Sequence, residues 1–134
     1  DIWKHEITAA GGGNWEFQYY TNNRSNSFTE DGVLFIQPTL TEDFIGADAV
    51  SGEKPFTLDL WGVTPASQCT INMFYGCSRE SNRAARIAIN PVQSARLRTA
   101  GTFSFRYGRV EVRAKLPRGD WLWPGERVCL FPTQ

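Results

Sequence analysis

Residues 102–117, TFSFRYGRVEVRAKLP, decide the fold, because apolar and polar side chains alternate there in two successive runs. Alternation with a period of two predicts strands that bury one face. The phase of the alternation changes at Gly108, where a β-bulge or tight turn would accommodate one extra residue. The alternating apolar residues are Phe103, Phe105 and Tyr107 before this glycine and Val110, Val112, Ala114 and Leu116 after it.

The polar face of the second run consists of charged residues only, and it has two interpretations. It consists of Arg109, Glu111, Arg113 and Lys115. In the first interpretation it is the solvated outer face of a sandwich, with cross-strand ion pairs of small energy. In the second it is the floor of a cleft, where the arginines donate hydrogen bonds to sugar hydroxyls. The spacing alone favours the solvated face.

The rest of the chain also indicates short strands and turns. Residues 26–38, NSFTEDGVLFIQP, predict a hairpin, since Asp31-Gly32 is a favoured two-residue turn between β-rich arms. Residues 93–99 have the composition of an extended segment, and a short helical turn is predicted around Asn82–Arg86. Many short strands with little helix predict an all-β sandwich or jelly roll.

Length and charge limit the classes of function. The 134 residues suit one domain or part of a larger one, and 14 basic side chains balance 14 acidic ones. A net charge of zero gives no electrostatic site for a nucleic acid or an anionic membrane, so neither is predicted as a partner. No apolar run reaches the length of a membrane span. The first six residues do not form a signal peptide, so we expect a mature or excised product.

The cysteines indicate an oxidising compartment. Cys69 and Cys77 lie eight positions apart, which favours a local disulfide over two free thiols, while Cys129 stands alone. A metal site is not predicted, because His5 is the only histidine and no C-x-x-C occurs. The sequon that begins at Asn23 is compatible with glycosylation and secretion.

Common catalytic arrangements are not supported by the residues. One histidine and no G-x-S-x-G motif make a serine triad improbable, and no glycine-rich phosphate loop occurs. A retaining glycosidase needs two carboxyl groups about 5 Å apart, which one strand can supply at alternating positions. The sequence contains no such cluster of Asp and Glu. No cofactor is predicted.

Two segments mix aromatic and polar residues in the manner of a glycan site. They are residues 12–24, GGNWEFQYYTNNR, and residues 118–123, RGDWLW. An indole packs on the apolar C–H face of a sugar, while polar side chains bond to the hydroxyls. Trp121 and Trp123 alternate, so both can face one side. Some of these aromatics, such as Phe17 and the pair at 19–20, can equally be strand core, and composition leaves the two interpretations balanced.

Several long motifs, in order, give the chain a specific resemblance. They are HEIT (5–8), GGGNWEFQYYTNNRSNSF (11–28), DGVLFIQPTLT (31–41), LDLWG (58–62), FYGC (74–77), INPVQSARLRT (89–99) and FSFRYGRVEVRAKLPRGDWLWP (103–124). Together they resemble the glycoside hydrolase family 16 domain, in its branch of animal endo-1,3-β-glucanases and β-1,3-glucan-binding (Gram-negative bacteria-binding) proteins. The resemblance covers about residues 3–124.

The resemblance implies a concanavalin-like β-jelly-roll of two antiparallel sheets, with a cleft for β-1,3-glucan on its concave face. It also implies the Cys69–Cys77 bridge and a secreted, extracellular protein. In such domains the tryptophan before the W-P-A segment lines the cleft, and here this is Trp123. The arginine of Y-G-R-V-E-V-R corresponds to Arg109, and the asparagine of N-x-E-x-Q-Y-Y corresponds to Asn14. Trp121 is implied as a neighbour in the substrate-binding set, as are Glu111 and Arg113, whose roles stay open.

The chain departs from the family after Pro124. The family's catalytic motif, E-x-D-x-x-E, does not occur in the 134 residues, so no catalytic residue is predicted. Residues 1–124 are therefore interpreted as the N-terminal part of the domain, and residues 125–134 as a divergent tail. A splice or frame variant, pairing with another chain that completes the sheets, and an incomplete sequence are the open explanations.

Three functions follow from these observations. The first is a β-1,3-glucan hydrolase-family domain that binds carbohydrate without the catalytic pair. The second is a non-catalytic β-1,3-glucan pattern-recognition protein of innate immunity. The third is a truncated product with no glucan function.

Overall fold

The computed structural model describes residues 1–11, 14–62, 68–126 and 128. The chain divides into two compact units, Asp1–Ser104 and Phe105–Gln134. Each unit is described here by itself.

Strands in the described part of the first unit are short, between two and four residues each. They are β1 (Lys4–His5), β2 (Gln18–Tyr20), β3 (Ser27–Glu30), β4 (Val33–Ile36), β5 (Thr39–Leu40), β6 (Thr57–Asp59), β7 (Ser78–Glu80), β8 (Val92–Ser94) and β9 (Leu97–Arg98). Two short helices, α1 (Glu42–Ile45) and α2 (Ala47–Ser51), and a 3-10 turn at Met73–Tyr75 lie between them.

The strands whose residues are described pair in four small sheets. Three of these are antiparallel pairs, β1 with β9, β3 with β4 and β6 with β7. The fourth has the order β2-β8-β5, in which β2 runs parallel to β8 and β5 runs antiparallel to it. Several pairings join distant parts of the sequence, since Lys4 lies opposite Arg98 and Tyr20 opposite Ser94.

The predicted hairpin at 26–38 is confirmed as β3–β4. Its central residues, Asp31 and Gly32, have φ angles of +49° and +77°. Two consecutive positive φ values define the turn type whose twist suits a two-residue hairpin. Phe28 of β3 stacks on Phe35 of β4 with 5.0 Å between ring centroids, so the cross-strand pair adds to the turn.

The helical prediction around Asn82–Arg86 is wrong. The segment is a turn closed by an antiparallel bridge between Asn82 and Ile87, and the Asn82 side chain accepts a hydrogen bond from the Ala85 N–H. Asparagine favours such turns because its short side chain can bond to the backbone nearby. The helices α1 and α2, which the sequence pattern did not indicate, lie instead beside Gly46 at the end of β5.

The core of the first unit is small. It is centred on Ile7, Ala9, Tyr19 and Leu60, with Leu58 and Cys69 packed against it. Asn26 is fully buried and donates from its amide to Gln37, Thr39 and Gln93, which ties the hairpin to β8. Buried polar groups that bond in this way fix the register of neighbouring segments.

The second unit contradicts the prediction made for residues 102–117, because no strand is present in that stretch. Its alternating apolar side chains are exposed, as Val110, Val112 and Leu116 illustrate at 54%, 55% and 65%. A strand requires a neighbour that accepts and donates its backbone hydrogen bonds, and an isolated one is not stable in water. Among the described residues, none of the four sheets includes this stretch.

The regular secondary structure of the described residues is thus mostly short strands in antiparallel and mixed sheets, with few short helices, which is consistent with the predicted all-β sandwich. The parallel β2–β8 pair differs from the two purely antiparallel sheets that the resemblance implied. Among these residues, no helix is long and apolar enough to cross a membrane.

Candidate functional site

The two tryptophans of residues 118–123 lie in the second unit with their indoles exposed. Trp121 is 90% exposed and Trp123 is 94% exposed. The backbone turns sharply before them, since Gly119 and Trp121 have φ angles of +154° and +66°. Large aromatic side chains normally bury most of their surface, so two exposed indoles in one turn are an unusual feature.

Arg109 of the same unit forms an ion pair with Glu111, and both side chains are largely exposed. Residues i and i+2 of an extended segment lie on one side, which explains how they meet. An exposed pair of this kind contributes little to stability because water screens it. The guanidinium and the carboxylate therefore remain accessible as a hydrogen-bond donor and acceptor.

Asn14, the remaining predicted substrate-binding residue, belongs to the first unit. It is exposed and lies in a turn, where its backbone N–H donates to the Gly11 carbonyl over 2.8 Å. The predicted set is therefore divided, with Asn14 in the first unit and Arg109, Trp121 and Trp123 in the second.

A buried arginine that sequence reasoning missed lies at the centre of the first unit's polar contacts. Arg79 of β7 is only 7% exposed. Its guanidinium donates to the Asn90 Oδ1 atom, to the Ala9 carbonyl over 2.8 Å and to the Phe74 carbonyl over 3.1 Å. Burial lowers the pKa of Arg79, because the charged form loses hydration. Nothing in the local pattern SRE at 78–80 indicates this burial.

A pocket of about 250 Å³ lies beside Arg79. Trp15 forms part of its wall, with the guanidinium carbon 5.1 Å from the ring centroid in a cation–π contact. The complete lining is Trp15, Glu16, Phe17, Arg79, Ala88, Ile89, Asn90 and Pro91. Trp15, Glu16 and Phe17 belong to the aromatic segment 12–24 noted in the sequence, so that segment was a usable signal.

The aromatics of that segment divide between core and surface. Tyr19 is 5% exposed and donates from its hydroxyl to Gln93, whereas Phe17 is 60% exposed. Of the two interpretations that the sequence left open, the core role holds for Tyr19, whereas Phe17 is at the surface.

The structure contains the disulfide between Cys69 and Cys77, whose Cα atoms are 5.5 Å apart. Cys129 lies outside the described residues. Within the described ranges no group of three or more His, Cys, Asp or Glu side chains is placed to hold a metal ion.

Asn23, the predicted glycosylation site, is half-buried at the start of a turn. Its side-chain oxygen accepts a hydrogen bond of 2.9 Å from the Ser25 N–H. Its carbonyl accepts from the N–H groups of Asn26 and Ser27.

Comparison with known proteins identifies relatives along most of the chain. It is 60% identical over 125 residues to the β-1,3-glucan-binding protein of Penaeus monodon, an alignment that covers 92% of this chain and 33% of that protein. It is 30% identical over 125 residues to Gram-negative bacteria-binding protein 2 of Drosophila melanogaster, covering 91% of this chain and 24% of that protein.

A glucanase is also similar. Glucan endo-1,3-beta-glucosidase A1 of Niallia circulans is 32% identical over 114 residues, which cover 85% of this chain and 11% of that enzyme. No family model and no solved structure matches the chain. The chain spans a third or less of the length of these three relatives. The homologues of this chain are thus β-1,3-glucan-binding and Gram-negative bacteria-binding proteins, with a glucanase also similar to it.

Proposed function

We propose that this chain forms part of a β-1,3-glucan-recognition domain and binds the glucan at the exposed indoles of Trp121 and Trp123. The observation that carries this proposal is the exposure of the two side chains, 90% and 94%. An indole left in water gains free energy when a sugar's C–H face covers it. The names of the relatives, which include a β-1,3-glucan-binding protein, support glucan as the ligand.

Arg109 and Glu111 supply the polar part of the proposed site. Sugar hydroxyls both donate and accept hydrogen bonds, and the exposed ion pair offers an acceptor and several donors close together. Asn14 is proposed separately as a substrate-binding residue of the first unit, because the family resemblance suggests it and its side chain is exposed.

The proposed activity is recognition without hydrolysis. Retaining hydrolysis requires a nucleophilic carboxylate and a second carboxyl group as acid and base. The E-x-D-x-x-E sequence that supplies them in glucanases of the resembled family does not occur in these 134 residues. We expect no release of reducing sugar from laminarin by this chain, and measurable turnover above a heat-treated control would contradict this.

The binding proposal is tested by co-sedimentation with insoluble β-1,3-glucan. Trp123→Ala should weaken binding about fivefold, since stacking of one aromatic ring contributes about 1 kcal/mol. Trp61→Ala is the matched control, because Trp61 is 51% exposed and belongs to the first unit. If Trp123→Ala binds as well as the wild type, Trp123 is not in the site. If the wild type does not bind glucan at all, the proposed function is wrong.

Secretion and the domain boundary belong to the same proposal. The disulfide and the sequon at Asn23 support an oxidising, extracellular compartment. Residues 1–124 are proposed as the family portion and residues 125–134 as a divergent tail. Peptide mapping of the native protein checks both points, since it reports a glycan on Asn23 and the residues that follow Pro124.

The last part of the proposal concerns a protein partner. We infer that the apolar hairpin β3–β4 pairs with another chain, because all four residues of β4 are exposed. An exposed apolar edge is a site for strand pairing and association.

A further inference from the structure

We propose that the pocket beside Arg79 binds a single pyranose ring, packed against Trp15 and accepting hydrogen bonds from the guanidinium. This would be a second carbohydrate site, contained within the first unit and made of residues that the proposed glucan surface does not use. The inference rests on the proposed function only for the class of ligand.

The first support is the state of Arg79. A buried guanidinium normally has a carboxylate partner, because an unpaired buried charge is costly. Arg79 instead donates to one amide oxygen and two backbone carbonyls, and it forms no ion pair among the described residues. These contacts use three of its N–H groups, and a guanidinium has five. Donors therefore remain for a ligand.

The second support is backbone strain in the segments that contact Arg79. Trp15, Phe74 and Tyr75 have φ angles of +56°, +53° and +59°. Each such conformation costs a non-glycine residue about 1 kcal/mol and persists only where the surroundings hold it. Trp15 lies over the guanidinium, and the Phe74 carbonyl accepts from it. Gly11 is also tightly packed, since a Cβ there would lie 3.0 Å from the Glu16 nitrogen. Strain of this kind gathers at ligand sites.

The third support is that the pocket wall is held in place by Asn90. Its amide nitrogen donates to the carbonyls of Glu16 and Gln18 over 2.9 and 3.2 Å, and its oxygen accepts from Arg79. The Asn90 side chain thus holds the segment 16–18, next to Trp15, in place relative to the Arg79 guanidinium. Asn90 is a positioning residue, since its polar atoms are already used within the protein.

The lining decides the class of ligand. Trp15 is 66% exposed and offers an apolar surface, Arg79 offers donors, and Glu16, whose carboxylate accepts from the Gln18 amide, also lines the pocket. An aromatic surface beside hydrogen-bonding groups suits a sugar ring. The volume of about 250 Å³ is below the usual range for drug-sized ligands, which suits one ring. A neutral glucose unit and a uronic acid unit share this chemistry.

The experiment is an NMR titration of the full 134-residue chain, observing the indole N–H signals of its five tryptophans. The probes are methyl β-glucoside and methyl β-glucuronide, in separate titrations. We expect saturable shifts of the Trp15 signal with at least one probe. Tighter binding of the glucuronide would assign a uronic acid unit, and tighter or equal binding of the glucoside a neutral one. If neither probe moves the Trp15 signal, the inference is wrong.

Variants give the second arm. Trp15→Ala should weaken the binding of the effective probe at least about tenfold, as loss of a stacking surface and its cation–π partner requires. Alanine meets the same left-handed backbone cost as tryptophan, so the folded state is perturbed little by the change itself. Trp61→Ala is the control. Unchanged affinity of Trp15→Ala would overturn the inference.

Arg79→Lys tests the donor independently of the indole. Lysine keeps the positive charge but lacks the planar guanidinium with its fixed donors. The affinity for the effective probe should therefore fall. If circular dichroism shows that this variant is unfolded, the inference is tested by the Trp15→Ala affinity and the wild-type titration instead. The binding of Trp15→Ala to insoluble glucan distinguishes the two sites. If this variant still binds insoluble glucan but no longer binds the methyl glycoside, the result supports this inference and leaves the proposed function intact. If only Trp123→Ala loses glucan binding and the Trp15 indole N–H signal of the wild type does not shift, the proposed function is supported and this inference is wrong.

Discussion

His5, the only histidine of the chain, accepts or donates a hydrogen bond of 2.7 Å between its Nε2 atom and the Ser27 hydroxyl. Its pKa is lowered from the ordinary value of 6.5, first because burial disfavours the charged ring and second because Arg24 repels it. The contact joins β1 to the start of β3, so the protonation state of one ring bears on two strands.

The unfolded chain binds a proton at His5 more readily than the folded chain does. The free energy of unfolding should therefore fall as pH drops below 6.5, with the loss complete below the folded pKa. Urea unfolding at several values between about pH 5 and pH 7.5 measures this slope, which covers the titration range of histidine. His5→Gln should have a smaller slope in this range. Equal slopes for the two proteins, or a folded pKa at or above 6.5, would contradict the assignment.

At the level of elements, the hairpin β3–β4 is stabilised by a turn whose second residue has a left-handed backbone. A Cβ added at Gly32 would meet no atom within 4 Å, so space does not restrict this position. Its φ angle of +77° does, because L residues rarely adopt it.

Gly32→Ala should lower the free energy of unfolding by roughly 1 kcal/mol, the cost of a left-handed alanine. Asp31→Asn is the matched control and should stay within about 0.5 kcal/mol of the wild type, because asparagine tolerates this conformation. The measurement is urea unfolding of the three proteins side by side. A Gly32→Ala protein as stable as the wild type would mean that the turn does not form.

Elements held by interactions between residues close in sequence were predictable, and elements held by interactions between distant residues were not. The hairpin was predictable because Asp31-Gly32 specifies its own turn, and the disulfide joins cysteines only eight positions apart. The parallel pairing of β2 with β8 was not predictable, since no local pattern relates Gln18 to Val92. Residues 102–117 have a strand pattern but belong to none of the sheets that the described residues form, since alternation specifies a face and not a partner.

The candidate site follows the same rule. The exposed indoles of the second unit and the aromatic segment 12–24 are visible in composition. Arg79 is not, because its burial depends on Ala9, Phe74 and Asn90, which lie on three separate segments. A charged residue in a short strand is ordinarily solvated, so sequence alone predicts the opposite surroundings.

On the scale of the whole molecule, apolar side chains remain on the surface in unusual number. In β4 every residue is exposed, including Leu34 and Ile36 at 48% each, which share one face of the strand.

The chain should therefore associate with itself as its concentration rises, because contact between apolar faces removes them from water. Sedimentation velocity over a concentration series measures this. Leu34→Lys combined with Ile36→Lys should shift the distribution towards monomer. Ala84→Lys with Ala85→Lys adds the same charge at exposed positions outside the hairpin and should change it less. A wild type that stays monomeric throughout would refute the association.

The pairing of β1 with β9 also has a consequence for how the protein is made. Lys4 and His5 are translated well before their partners, Leu97 and Arg98, which leave the ribosome only after most of the first unit. Until then the hairpin β3–β4 is among the few pairings that nearby residues can complete. Long-range pairing is slow, and open edges are exposed to aggregation meanwhile. Strand β1 is thus among the last of the described strands to find its partner, and its edge stays unpaired while residues 6–96 are translated.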